Sequence, residues 1–261
     1  MTKTIIFIHG MFQNDKSWEN WVIFFERVGY NCIVQSWPFH EGEPSELRRN
    51  IPDGLGTLGL QTVIKKFGDI TAKNPDAILI GHSVGGLIVQ TLINKGLGVA
   101  GICIDSVAPN KMLAFDWGFF RNSMSIANPL KGDEPYLMTA EGFHKNFANA
   151  MSMEESNREY EKTATHDSRN ILRDCMMEDR HVDLATPHSP LLFIGGEIDE
   201  IIPPELNEKN SKAYTDKGSI SAYKEFPNRG HYICGQPGWE EVAEYISEWI
   251  DEKVTVSSDS L

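Results

Sequence analysis

Short apolar runs alternate with stretches of helical periodicity in this chain, and no other feature restricts the fold as much. Ile5 to Ile8, Cys32-Ile33-Val34, Ala77 to Ile80 and Val99 to Ile104 read as buried strands. Between them, apolar residues recur at helical spacing. Trp18, Trp21, Val22, Phe25 and Val28 form one set, Leu60, Val63, Ile64 and Phe67 a second, and Leu87, Ile88 and Leu92 a third. Ser17 is the expected N-cap of the first of these helices. From Trp37 to Thr57 the chain is rich in Pro and Gly and reads as a loop. The order β-α-β-α-β-α-β predicts parallel strands joined by right-handed crossovers. It resumes late in the chain. Leu191 to Ile194 is a strand, Pro203-Pro204 opens a helix, and Ile220 to Phe226 is the last strand. Val242, Tyr245, Ile246, Trp249 and Ile250 mark a final amphipathic helix.

Asn110 to Ser189 interrupts the pattern, with aromatics and methionines but no clear strand. A connection of about eighty residues far exceeds the usual roughly 2–6, so it predicts an inserted subdomain with helices of its own. Glu154 to Tyr160 is one such helix. The expected organisation is a core of residues 1–109 and 189–253, a helical insertion at 110–188, and a flexible tail at 254–261.

The net charge of −13 leaves no basic stripe to neutralise phosphates, which argues against a nucleic-acid partner. The four cysteines form no CxxC pair and read as reduced thiols. The run at Ile5 to Ile8 is too short for a signal peptide or a membrane span, so a cytoplasmic protein is expected. His40, His144, His166, His181 and His188 show no metal-ligand spacing, and no cofactor motif is present.

Four short motifs fall at strand ends. Gly81-His82-Ser83-Val84-Gly85 follows the third strand and opens a helix, the setting of a nucleophile elbow. A serine hydroxyl needs a base to take its proton and an acid to orient that base. His231 follows the last strand, and Asp199 follows the strand before it. Glu197 and Asp105 also end strands and stand as alternative acids. His9-Gly10-Met11-Phe12 follows the first strand, where the N–H groups of Met11 and Val84 can meet a developing oxyanion. His9 and His82 are expected to brace the loops rather than react.

In that order, His-Gly, Gly-x-Ser-x-Gly, Gly196-x-x-Asp199-x-x-x-Pro203 and Gly230-His231 resemble the α/β-hydrolase superfamily, over essentially the whole chain. The resemblance implies a mostly parallel sheet of about six strands, since the chain begins at the His-Gly strand. It implies Ser83 as nucleophile, His231 as base, Asp199 as acid, Met11 and Val84 as oxyanion donors, and the insertion as a lid. Phe12, Trp117 and Phe147 are candidate pocket residues. The expected activity is hydrolysis of a small-to-medium, largely apolar ester. Serine at the elbow argues against haloalkane dehalogenases and epoxide hydrolases, which carry Asp there. A hydroxynitrile lyase, a cofactor-free dioxygenase or a hydrolase-like ligand receptor stand as alternatives on the same fold.

Overall fold

The computed structural model describes residues 3–110, 126–177 and 181–255. Six parallel strands form one sheet in the order β2-β1-β3-β4-β5-β6. They are β1 (Thr4–Ile8), β2 (Asn31–Val34), β3 (Ile78–His82), β4 (Ala100–Ile104), β5 (Leu191–Gly196) and β6 (Ser221–Phe226). Helices α1 (Glu19–Arg27), α2 (Pro44–Arg49), α3 (Leu60–Ala72) and α4 (Val84–Asn94) lie in the first half. Pro204–Lys212 and Trp239–Thr255 form the two helices of the second.

The four inner strands β1, β3, β4 and β5 read as apolar runs because both sheet faces are covered there. Ile6, Ile8, Leu79, Cys103, Leu191 and Phe193 face α3 and α4. Ile5, Phe7, Ile78, Ile80, Ile102, Leu192 and Ile194 face α1 and the last helix. This period-2 division puts neighbouring residues into opposite cores. After β1 the chain runs outward to β2, then returns to place β3 on the other side of β1. The loops leaving β1 and β3 therefore diverge, and a crevice opens at the carboxyl ends of these two strands.

Some local expectations are corrected. Ser17 does not cap α1; it lies within a 3-10 turn, Asp15–Trp18, capped by Asn14, whose side chain accepts the Lys16 N–H. Val28 sits past the end of α1 and is exposed, so it does not join the buried face. The Trp37 to Thr57 loop contains α2, which proline starts at its first turn. The last helix continues to Thr255, beyond the expected tail boundary.

Between β4 and β5, a helical turn at Ala140–Gly142 runs into a π-helical turn at Phe143–Phe147. The helix Met153–Thr163 starts with a capping box between Ser152 and Glu155. Arg169–Cys175 follows, capped by Ser168. An isolated antiparallel bridge pairs Tyr136 with Asp167. The four cysteines are free. Among the described residues no helix is long and apolar enough to cross a membrane.

Candidate active site

Ser83 stands at the junction of β3 and α4 with φ +56° and ψ −118°, a conformation costly for any residue but glycine. The surroundings impose it. Ser83 N–H donates to Ile104 O at 2.9 Å, and Ser83 O accepts Val107 N–H at 3.1 Å. The flanking glycines are steric requirements. A Cβ on Gly81 would lie 2.2 Å from Gly85 O, and one on Gly85 2.1 Å from Ile8 O. Without side chains at these two positions, α4 can sit directly against the ends of β1 and β3.

His231 follows β6, and its Nδ1–H donates to Asp199 Oδ2 at 2.7 Å. Asp199 Oδ1 accepts the N–H groups of Ile201 at 2.7 Å and Ile202 at 2.9 Å. Both side chains are buried. The carboxylate is thus fully engaged and fixes the ring orientation, leaving Nε2 free to act. Glu197 turns elsewhere, accepting Asn228 N–H at 2.8 Å. Asp105 is buried with φ +42°; its Oδ1 accepts Gly196 N–H at 2.8 Å, and its Oδ2 meets no donor among the described residues. Burial, reinforced by the neighbouring Asp199 charge, pushes the Asp105 carboxyl well above the usual carboxylate range.

Two other histidines brace the site. His82 Nε2–H donates to the His231 carbonyl at 2.8 Å, and burial, with His231 adding to it, lowers its pKa to about 3. His9 accepts Trp37 N–H on Nε2 at 2.9 Å and donates from Nδ1 to Gly10 O at 2.8 Å. Burial, with repulsion from His40 adding to it, holds His9 neutral, as this pattern of one donor and one acceptor requires. His82, Asp105 and His231 place ligand atoms within 4.8 Å of one another. His82 Nε2 and His231 Nδ1 are both hydrogen-bonded, to the His231 carbonyl and to Asp199.

Ser83 and His231 line one cavity of about 70 Å³ with Met11, Phe12, Val84, Val107, Ile126, Met138, Phe147, Leu172, Ile201 and Ile202. Of the sequence-predicted pocket residues, Phe12 and Phe147 line it, and Trp117 lies outside the described residues. Phe147 also packs edge-on against the His231 ring, centroids 5.0 Å apart. Sequence reasoning missed Ile201 and Ile202, although they lie inside the Gly196 to Pro203 motif, and Val107, which follows the end of β4. Ile126, Met138 and Leu172 carry no sequence signal, because the fold of the insertion alone brings them to the cavity. Neither Met11 N–H nor Val84 N–H donates to a protein acceptor among the described residues. Val84 is also the first residue of α4, where the helix dipole favours negative charge. A larger surface groove of about 330 Å³ between α3 and the end of α4 holds none of these groups.

A model of the Alpha/beta hydrolase family matches residues 5–245. No curated protein sequence matches the chain. Among solved structures the chain is similar to a monoacylglycerol lipase of Paleococcus ferrophilus, at 17% identity over 95% of each chain with a TM-score of 0.69. It is also similar to a pyrethroid hydrolase from Sphingobium faniae, at 19% identity over 96% of this chain and 98% of that one, TM-score 0.68. Tomato methylketone synthase I, solved with 2-tridecanone, gives 12% identity over 97% and 99%, TM-score 0.70. At these identities the likeness is one of fold.

Proposed function

Because this chain belongs to the alpha/beta hydrolase family, we propose that it is a serine hydrolase acting on a small-to-medium, largely apolar carboxylic ester. One observation carries the reading: among the described residues, Ser83 and His231 are the only polar side chains lining an otherwise apolar cavity. Such a site presents reactive groups to an uncharged substrate and offers nothing to hold a charged one.

The chemistry follows from the hydrogen bonds. His231 Nδ1–H is committed to Asp199, so Nε2 is the basic nitrogen. Nε2 takes the Ser83 hydroxyl proton as Oγ attacks the ester carbonyl. The imidazolium that forms is stabilised by Asp199, whose Oδ1 is held by the two backbone donors. The carbonyl oxygen becomes an oxyanion and accepts from Met11 N–H and Val84 N–H. Losing one such donor typically costs about 10²–10³-fold in kcat. As the tetrahedral intermediate collapses, His231 returns the proton to the alkoxide leaving group and an acyl-enzyme remains on Ser83. Water, activated by the same nitrogen, then releases the acid. In this reading the insertion is the lid, supplying Ile126, Met138, Phe147 and Leu172 to the cavity wall and excluding bulk water from it.

Incubation with a fluorophosphonate, read by intact mass, tests the reading. A single phosphonyl adduct on the wild type and none on Ser83→Ala is expected; an unlabelled wild type refutes it. Ser83→Ala should also lose ester hydrolysis, whereas retained turnover of a carbon acid would point to lyase chemistry instead.

A further inference from the structure

We propose that Asp167, in the insertion, is a positioning residue for the oxyanion loop, holding the Met11–Phe12 peptide so that Met11 N–H stays aimed at the cavity. The inference rests on the hydrolase reading above.

Three consecutive peptide groups after β1 are each held by a different partner. In the Gly10–Met11 peptide, the carbonyl accepts from His9 Nδ1 at 2.8 Å. The N–H on the other side of that plane belongs to Met11. In the next peptide, Phe12 N–H donates to Asp167 Oδ2 at 2.9 Å, across 155 residues of sequence. In the third, Phe12 O accepts Thr165 N–H at 3.0 Å. Gln13 continues the strap: its side chain donates to Thr163 Oγ1 at 3.2 Å, and its carbonyl accepts Thr165 Oγ1–H at 3.3 Å. Phe12 has φ +63°, a left-handed conformation for a bulky side chain that persists only where surrounding bonds enforce it. Asp167 supplies that enforcement on the amide side.

Asp167 is itself immobilised. Its side chain is wholly buried, and its Oδ1 accepts Ser168 N–H at 2.7 Å. Its backbone pairs with Tyr136 in both directions, at 2.8 and 2.9 Å. His40 Nε2 stands 3.6 Å from Oδ2, and His40 Nδ1–H donates to Pro38 O at 3.0 Å. The Phe12 and Tyr136 rings meet edge-on at 5.7 Å. A carboxylate so surrounded can hold a backbone N–H in one direction. Without it, Phe12 is free to leave positive φ. That change rotates the Met11–Phe12 peptide and twists Met11 against the His9 bond, which alone then orients the Gly10–Met11 peptide and its N–H.

The test compares Asp167→Ala, which removes the acceptor, with Asp167→Asn, which keeps a carbonyl oxygen in its place. Hydrolysis of p-nitrophenyl butyrate, the rate of fluorophosphonate labelling and hydrogen exchange over residues 9–14 are measured on all three proteins. For Asp167→Ala we expect kcat to fall about 100-fold, KM to stay within about twofold, labelling to slow in parallel, and exchange over 9–14 to accelerate. Asp167→Asn should recover most of kcat. If Asp167→Ala does not fold, Asp167→Ser removes the carboxylate acceptor with a polar side chain in place. A wild type that labels and turns over while the Ala or Ser variant matches its kcat overturns the inference and leaves the hydrolase reading intact. A rise in KM with kcat unchanged also overturns it. A wild type that neither labels nor turns over overturns both.

Discussion

At the scale of single residues, Asp105 is a buried carboxyl at the carboxyl end of β4 that forms no ion pair with a cation among the described residues. Burial and the neighbouring Asp199 raise its pKa above the ordinary 3.8, so the folded protein holds a proton that the unfolded chain releases. The folded state binds more protons in the window from the unfolded pKa up to the folded one. Stability therefore falls as pH rises through that window, with a limiting slope of about 1.4 kcal/mol per pH unit from this group. Asp105→Asn keeps the shape of the neutral acid and removes the titration. Urea unfolding at about pH 5 and about pH 8 should show wild type losing stability relative to Asp105→Asn at the higher pH. A difference between the two proteins that is independent of pH would show that Asp105 is ionised in the fold.

Residues of this kind also show what a sequence can and cannot disclose. Ser83, Asp199 and His231 are readable because each lies within a few residues of a strand end, and parallel strands bring such positions to one edge. The sequence leaves three candidates for the acid, because strand ends specify an edge and not a direction. Only the fold shows Glu197 turned to Asn228 and Asp199 set against the His231 ring. Asp167 gave no signal at all. It lies in the insertion, follows no strand, and its partner is the backbone of Phe12, whose own residue type says nothing about an acceptor. Asn14 displaced the expected Ser17 as a cap because the helix begins one 3-10 turn early.

Between elements, α4 packs against β1 and β3 with no room for a side chain at Gly81 or Gly85. Val84 to Ile93 are all buried, so the helix has no solvent side to move toward. A methyl group on Gly85 would meet Ile8 O at 2.1 Å, a backbone atom that cannot rotate away. Gly85→Ala should force α4 off the sheet and cost about 1–3 kcal/mol. It should also displace Val84 N–H, so activity falls more than the loss of folded protein explains. Thermal unfolding together with kcat on the folded fraction checks this; a stable Gly85→Ala with wild-type kcat would contradict it. The alternation of runs made these elements legible, whereas α2 and the π-helical turn were not. Both are short, and tertiary contacts rather than periodicity hold them.

Across the whole molecule, an acidic chain encloses an apolar cavity, and both properties select against anionic substrates. A panel of p-nitrophenyl esters with graded acyl chains should show kcat/KM rising about fourfold per methylene while the cavity fills, at about 0.8 kcal/mol each. It should then fall once the chain exceeds the space of about 70 Å³. An acyl group ending in a carboxylate should be turned over far more slowly than its neutral isostere. Equal rates for the two would contradict the reading.

The long reach of the tether has a bearing on how the molecule comes to work. Phe12 is held by Asp167, and Tyr232 N–H, beside His231, is held by Phe147 O at 2.8 Å. Both ends of the chain thus borrow their geometry from its middle. A growing polypeptide can complete β1 to β4 and bury Ser83 in its elbow well before these partners exist, yet leave the Met11–Phe12 loop without the bonds that fix it. Loop closure over such separations is slow relative to local helix formation. The geometry of both loops is therefore complete only when the two halves of the sheet and the segment between them have closed on one another.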